Sequence, residues 1–120
     1  LLSKTDIVIR KQRESLWLEN NKILRKLFLG FIHIHILHHA KEHPIYGSWM
    51  LDELREHGYT ISAGTLYPIF HGMEADGLLL KEDQLVDGKI RKYYRITEKG
   101  EAILIEARAK AYELFKEIKE

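Results

Sequence analysis

The 120-residue chain is 45% hydrophobic and 31% charged, enough for one compact core and too little for two independent domains. It contains no cysteine, which excludes a disulfide framework, a thiolate metal centre and a cysteine nucleophile and points to a cytoplasmic protein. Its formal net charge of +1 argues against a broadly cationic nucleic-acid binder, yet one basic face remains open to it, because Lys and Arg gather in 10–13, 22–26 and 89–95.

Residues 1–21 mix charge with scattered Ile, Leu and Trp17, and Asn20 and Asn21 end one helix or cap the next. They read as an N-terminal helical arm. No basic stretch feeds an apolar segment and a small-residue cleavage site there, so no signal peptide is expected. From Lys22 to about His39, Leu24, Leu27, Phe28, Phe31, Ile34 and Leu37 form a helical stripe that requires burial. Gly30, His33 and His35 interrupt this apolar run well short of the roughly 20 residues that cross a bilayer, and no membrane partner is expected. His43-Pro44 stops the helix, since the residue before a proline is pushed out of helical geometry.

Ser48 is placed to cap a second helix running to about His57, with Met50, Leu51 and Leu54 inward and His57-Gly58 closing it. The third helix lies in ISAGTLYPIFHGMEADGLL, residues 61–79, where Leu66, Ile69, Phe70 and Met73 recur at helical spacing and Asp76-Gly77 ends it. If Thr65 is the cap, Pro68 falls in the first turn and forfeits no internal bond; if Ser62 is the cap, Pro68 lies deeper and kinks or loosens the start. Gly64 permits close approach of a backbone or a phosphate. Gly72 has no explanation in the sequence.

Two strand-like runs follow, about Leu78 to Val86 and Lys89 to Ile96, and the two-residue link Asp87-Gly88 favours a tight hairpin with positive φ at both positions. Alternation puts Lys89, Arg91, Tyr93 and Arg95 on one face, expected outward, and Ile90, Lys92, Tyr94 and Ile96 on the other, expected inward. A last helix starts at Thr97-Glu98-Lys99-Gly100 and repeats apolar residues at Ile103, Leu104, Ala107, Ala111, Leu114, Phe115 and Ile118. So small a chain has no partner left for that stripe, and a second copy is the simplest cover, with Leu104, Ala107, Ala111, Leu114 and Ile118 as the dimerisation contacts.

The architecture that results is mainly α with a small β-hairpin: a winged helix-turn-helix over residues 22–100, an N-terminal helical arm over 1–21 and a C-terminal dimerisation helix over 101–120. In such a fold the third helix, here about 62–76, enters the major groove, and the wing, here about 78–96, lies against the neighbouring backbone or minor groove.

The blocks Tyr46-Gly47, Ser62 to Pro68 (SAGTLYP), Glu74 to Leu78 (EADGL) and Arg91 to Gly100 (RKYYRITEKG) occur in an order and spacing that resemble the PadR family of winged-helix transcriptional regulators. The likeness runs from about Leu24 to Gly100. It implies a homodimeric DNA-binding repressor or regulator whose last helix makes most of the dimer contact, of the smaller type with a single C-terminal helix, and many such proteins respond to small aromatic or drug-like effectors. One departure matters. Members commonly carry two basic residues after the tyrosine-proline pair, whereas this chain has His71 and Gly72, then Ala75 and Asp76, so that part of the helix offers no Lys or Arg to phosphate or guanine.

Candidate DNA contacts follow from these placements. The hydroxyls of Ser62 and Thr65 cap the helix or donate to phosphate. Tyr67 sits off the apolar stripe and faces outward, with His71 one turn later on the same side. With no base-reading cation on the helix, the charge falls to the wing: Arg91 first, with Lys89 and Lys92 near the turn. A solvated strand face is the ordinary alternative. His35, His38 and His39 share one side of a helix, but with no cysteine and only Glu42 within a turn they are read as surface or satisfied histidines and no metal is expected. Trp17 and Trp49 are the candidates for a flat effector pocket, against the commoner use of such side chains in core or interface packing. Phosphate-loop, nucleophile-elbow and HExxH motifs are absent, so neither an enzyme nor a cofactor is expected. The rival reading is a winged-helix module used for protein–protein contact.

Overall fold

The computed structural model describes residues 3–9 and 22–119. The chain divides into two compact units, residues 1–30 and residues 31–120. In the first, residues 4–9 are helical and start on a reciprocal cap: the Asp6 N–H donates to Ser3 Oγ at 3.0 Å, while Asp6 Oδ2 accepts from the Ser3 N–H at 3.2 Å and from its hydroxyl at 2.8 Å. Trp17 lies outside the described residues.

The elements run α1 (Lys22–Glu42), α2 (Gly47–Glu56), α3 (Ala63–Ala75), β1 (Leu79–Val86), β2 (Lys89–Ile96) and α4 (Glu98–Ile118). The order of three helices, hairpin and helix is the expected winged helix-turn-helix, mainly α with one two-stranded antiparallel sheet. Among the described residues no helix is long and apolar enough to cross a membrane.

Glycine sets the ends of two helices. Past α2, Gly58 adopts φ +89°, its N–H reaches the Arg55 carbonyl and the Tyr59 N–H reaches that of Leu54. Past α3, Gly77 adopts φ +78°, its N–H reaches the Glu74 carbonyl and the Leu78 N–H reaches that of Met73. Both are Schellman closures, which satisfy the last carbonyls of a helix through one left-handed residue. The hairpin turn is type I′ as its sequence requires, with Asp87 at φ 52° and Gly88 at φ 78°.

One helix start differs from expectation, and another is decided between the two alternatives left open. The N-cap of α2 is Tyr46 rather than Ser48, and no side chain caps it. Ser62 caps α3, its hydroxyl accepting from the Thr65 N–H at 3.2 Å, so Pro68 lies inside the helix and has no N–H for the carbonyl of Gly64. The helix nevertheless runs unbroken from Ala63 to Ala75.

Ile32, Ile36, Leu37, Ala40, Ile45, Met50, Leu54, Leu66, Phe70, Met73, Leu79, Tyr94 and Leu104 form the core. The face of α1 is a correction. Of the expected stripe only Leu37 is buried, while Leu27 and Phe31 are exposed and Ile32, Ile36 and Ala40 point inward instead. The helix is apolar around most of its circumference, so spacing alone does not choose the face; the i, i+4 row ending in small Ala40 lets a neighbouring element approach closely. Tyr94 anchors the wing. Its ring stacks on Phe70 at 4.5 Å, and its backbone exchanges two hydrogen bonds with Ile45, 2.8 and 2.7 Å long. The Tyr94 hydroxyl is buried without a hydrogen-bond partner, and burial raises its pKa.

Where α1 and α2 meet, a second, polar cluster forms. His35 lies with its ring 4.5 Å from that of His57 and edge-on to Tyr59. Burial, then the neighbouring His57, His39 and His38, lower its pKa, outweighing Glu53.

The junction of α3, β1 and α4 is clamped by the Thr97-Glu98-Lys99-Gly100 turn. The Thr97 hydroxyl donates to the Gly77 carbonyl at 2.6 Å and accepts from the Gly100 N–H at 3.0 Å, and Lys99 Nζ donates to the Asp76 carbonyl at 2.8 Å. A Cβ on Gly100 would overlap the Leu78 carbonyl oxygen and the Ile96 side chain, whereas one on Gly72 would meet nothing within 4 Å. Gly100→Ala is therefore expected to destabilise the chain by about 1–3 kcal/mol through overpacking, and Gly72→Ala to stabilise it by up to about 1 kcal/mol through helix propensity. Urea denaturation of the two variants beside the parent checks both signs.

Candidate nucleic-acid interface

The N-terminus of α2, the outer face of α3 and the wing enclose one open groove of about 820 Å³. Tyr46, Gly47 and Ser48 form its floor at the helix start, Tyr67 and His71 come from α3, and Val86, Asp87, Lys89, Ile90, Arg91 and Lys92 come from the hairpin tip. Three cations face one carboxylate there. The first N–H groups of α2 carry no side-chain cap and no acidic residue sits in its first turn, so the positive end of the helix is left available to an anion.

Backbone pairing between Ile45 and Tyr94 sets the neighbours: one residue on from Ile45 and one back from Tyr94, Tyr46 meets Tyr93 edge to face at 5.3 Å, and the Arg91 guanidinium lies 4.2 Å over the Tyr46 ring. Arg91 also makes a long 3.5 Å contact from its guanidinium to the Tyr93 hydroxyl. That hydrogen bond is the main cause raising an already high pKa, so Arg91 is a permanent cation held at the groove wall. It is half-buried, not splayed into solvent as strand alternation alone implies.

Tyr46 and Gly47 shape the groove in ways the sequence did not disclose, although the pair was visible as a motif. A Cβ at Gly47 would fall inside the Tyr67 hydroxyl and ring. Only glycine lets the tyrosine of α3 lie across the start of α2, and this close approach aims Tyr67 along the groove floor rather than away from it. Tyr67 and His71 are neighbouring rings at 6.5 Å.

Of the seven candidate contacts, Tyr67, His71, Lys89, Arg91 and Lys92 line this groove, and Ser62 and Thr65 do not. The two hydroxyls sit 3.3 Å apart at the α3 cap, engaged with the helix start. Arg95 points elsewhere and pairs with Glu82 across the hairpin at 2.9 Å. At the tip, Ile90 is 69% exposed and its cross-strand partner Leu85 76%, contrary to the expectation that Ile90 packs inward; the hairpin outruns the core, and alternation buries a side chain only where something lies beneath it.

A family model for the Transcriptional regulator PadR-like family matches residues 36–107. The chain belongs to the PadR-like family. It is 45% identical over 95 residues to Transcriptional regulator Rv3488 of Mycobacterium tuberculosis, covering 79% of this chain and 89% of that protein. Among solved structures, a PadR family transcriptional regulator from Eggerthella lenta superposes with a TM-score of 0.71 at 34% identity, covering 82% of this chain and 87% of the other. A PadR-like transcription factor from Bacteroides fragilis gives 0.70 at 31%, covering 80% and 94%. This PadR-family chain is a DNA-binding transcriptional regulator of a non-catalytic class.

Two further expectations are placed by the structure. Trp49 stands edge-on to His39 at 5.4 Å and to His43 at 4.9 Å, away from the groove, so it packs in the polar cluster. On α4, Leu104 is 3% exposed within a single chain; it is a core residue and not a free dimer contact, because the first turns of α4 lie on the winged domain. Ala107 is half-buried, and Ala111, Leu114 and Ile118 are exposed.

The Tyr46 ring restrains Arg91, so Tyr46→Leu is expected to leave the fold intact and to release the guanidinium. The heteronuclear NOE of Arg91 Nε should drop toward that of Arg108, which is exposed on α4. An unchanged Arg91 signal would mean that Tyr46 does not hold it.

Proposed function

We propose that this PadR-family regulator is a repressor that binds an inverted-repeat operator as a homodimer, with the winged domain of residues 22–100 on DNA and residues 101–120 forming the dimer contact. The observation that carries the reading is the shared groove: Tyr67 and His71 of α3 face Lys89, Arg91 and Lys92 of the wing, with the uncapped start of α2 between them. α3 supplies shape and hydrogen-bonding side chains for register. The wing supplies the phosphate charge that α3, with no Lys or Arg between Ala63 and Ala75, does not contain. Two such domains related by a two-fold axis read half-sites about 34 Å apart or a multiple of it. A dimer seated there occludes the duplex, which supports repression.

Support for the dimer comes from the second half of α4. Past Leu104 it exposes Ala111, Leu114, Phe115 and Ile118, the last two 60% and 64%, one helical stripe of a kind that single soluble chains seldom leave open.

Binding to the chain's own upstream DNA at several salt concentrations tests the DNA reading. The log-affinity is expected to fall by several units per decade of salt, and Arg91→Ala to flatten the slope by about one. Absence of any preferred duplex, together with an unchanged slope in Arg91→Ala, would transfer the groove to protein recognition, the reading favoured by the missing cations of α3. For the dimer, Leu114→Asp is expected to yield monomers in sedimentation equilibrium while the helical circular dichroism persists; a retained dimer places the interface elsewhere.

A further inference from the structure

At the end of α2 opposite the groove, His35 and His39 of α1 meet Glu53 and His57 of α2. Each pair is spaced i, i+4, so two helices each present two donors on one face. Nitrogens of His35, His39 and His57 all lie within 4.8 Å of one another. Glu53 Oε1 stands between two of them, 3.2 Å from His39 Nε2 and 3.3 Å from His57 Nε2. For bonds of about 2.0–2.1 Å, the edge of a coordination tetrahedron is roughly 3.3 Å.

The surroundings of His39 make this more than proximity. Its Nδ1 lies 3.2 Å from Glu42 Oε1, in hydrogen-bonding geometry. A proton on Nδ1 directed at Glu42 leaves the Nε2 lone pair facing the cluster, the arrangement in which a carboxylate fixes the tautomer of a metal-ligating imidazole. Nε2 is buried and has no hydrogen-bond partner, because the nearby Glu53 oxygen lies outside hydrogen-bonding geometry. A lone pair and a carboxylate oxygen at that distance repel unless a cation sits between them. In a tetrahedral site both lone pairs point at a shared ion, and the N···O line is then inclined by about 35° to the ring axis.

We propose that His35, His39, His57 and Glu53 form a binding site for one divalent transition-metal ion of the zinc class, with Glu42 as the carboxylate that orients His39. Three imidazoles and one carboxylate are nitrogen and oxygen donors that suit Zn²⁺, Co²⁺ and Ni²⁺, and the chain has no thiolate to select a softer ion. Closing the site needs side-chain rotation chiefly at His57, whose side chain is 46% exposed. The ion ties α1 to the C-terminal end of α2, the same helix whose N-terminal end forms the floor of the groove. The site therefore gives metal a handle on the element that underlies DNA recognition.

The test uses the full chain, stripped with chelator and titrated with ZnCl₂ by calorimetry and with CoCl₂ by absorbance, without DNA. One saturable ion per chain is expected, with visible Co²⁺ bands of the intensity of a four-coordinate site. His57→Ala, at the exposed helix end, should weaken binding at least 10-fold, and Glu42→Gln, which removes the orienting charge, about 10- to 100-fold. His38→Ala should change it less than 3-fold. His38 also approaches Glu42, at 3.3 Å, so loss of binding in His38→Ala with retention in His57→Ala would overturn the assignment in favour of a surface site on α1. Failure to find a saturable site near one ion per chain would overturn it altogether.

Discussion

The reciprocal backbone pairing of Ile45 with Tyr94 is the constraint on which the site depends. Ile45 lies in the link between α1 and α2, and Tyr94 lies in the second wing strand. Two hydrogen bonds there fix the wing in register against the start of α2. A one-residue slip would turn every side chain of β2 to the other face. The stacked Phe70 ring joins α3 to the same point. Three elements distant in sequence thus share one buried residue, and its unpaired hydroxyl is a cost that the packing of a whole aromatic ring offsets.

From that register the charge arrangement follows by counting. Tyr46, one residue past Ile45, reaches Tyr93, one residue before Tyr94, and Arg91 projects from the same strand face back over Tyr46. An arginine on a hairpin normally samples many rotamers, and ordering it on binding costs free energy. Resting the guanidinium on a ring that is itself held by backbone pairing lowers that cost before any ligand arrives. The absence of cations from α3 is compatible with DNA binding for this reason: the wing places its charge beside the helix rather than beyond it.

Features written into the local chemistry of the chain were legible in the sequence. Asp87-Gly88 specifies a type I′ turn and Gly77 a Schellman end because each demands a left-handed backbone that few residues supply. Features that depend on what lies opposite were not. The buried face of α1 is unreadable from a helix that is apolar nearly all round, and the inward alternation of β2 stops being true at Ile90, where the hairpin has left the core. Gly47 is the sharpest instance: its reason is the Tyr67 ring twenty residues away. His57 and Glu53 belong to the same class, since α1 taken alone offered histidines without enough ligands, and the crossing of α1 with α2 supplied the remainder.

The two ends of α2 therefore carry different chemistry on one rigid rod. At ten residues, Gly47 to Glu56, it is about 15 Å long, short enough that displacement of one end moves the other. Its N-terminal end is uncapped, close-packed under Tyr67 and electropositive; its C-terminal end is closed by Gly58 and flanked by imidazoles and a carboxylate. A neutral residue at the N-cap forgoes about 1 kcal/mol of helix stability that a Ser or Asp would contribute. That sacrifice is intelligible if the N–H groups are reserved for an anion from outside the chain. The Schellman closure and the contacts of His57 and Glu53 with α1 then hold the helix from its other end, so that the part exposed to the groove does not have to hold itself.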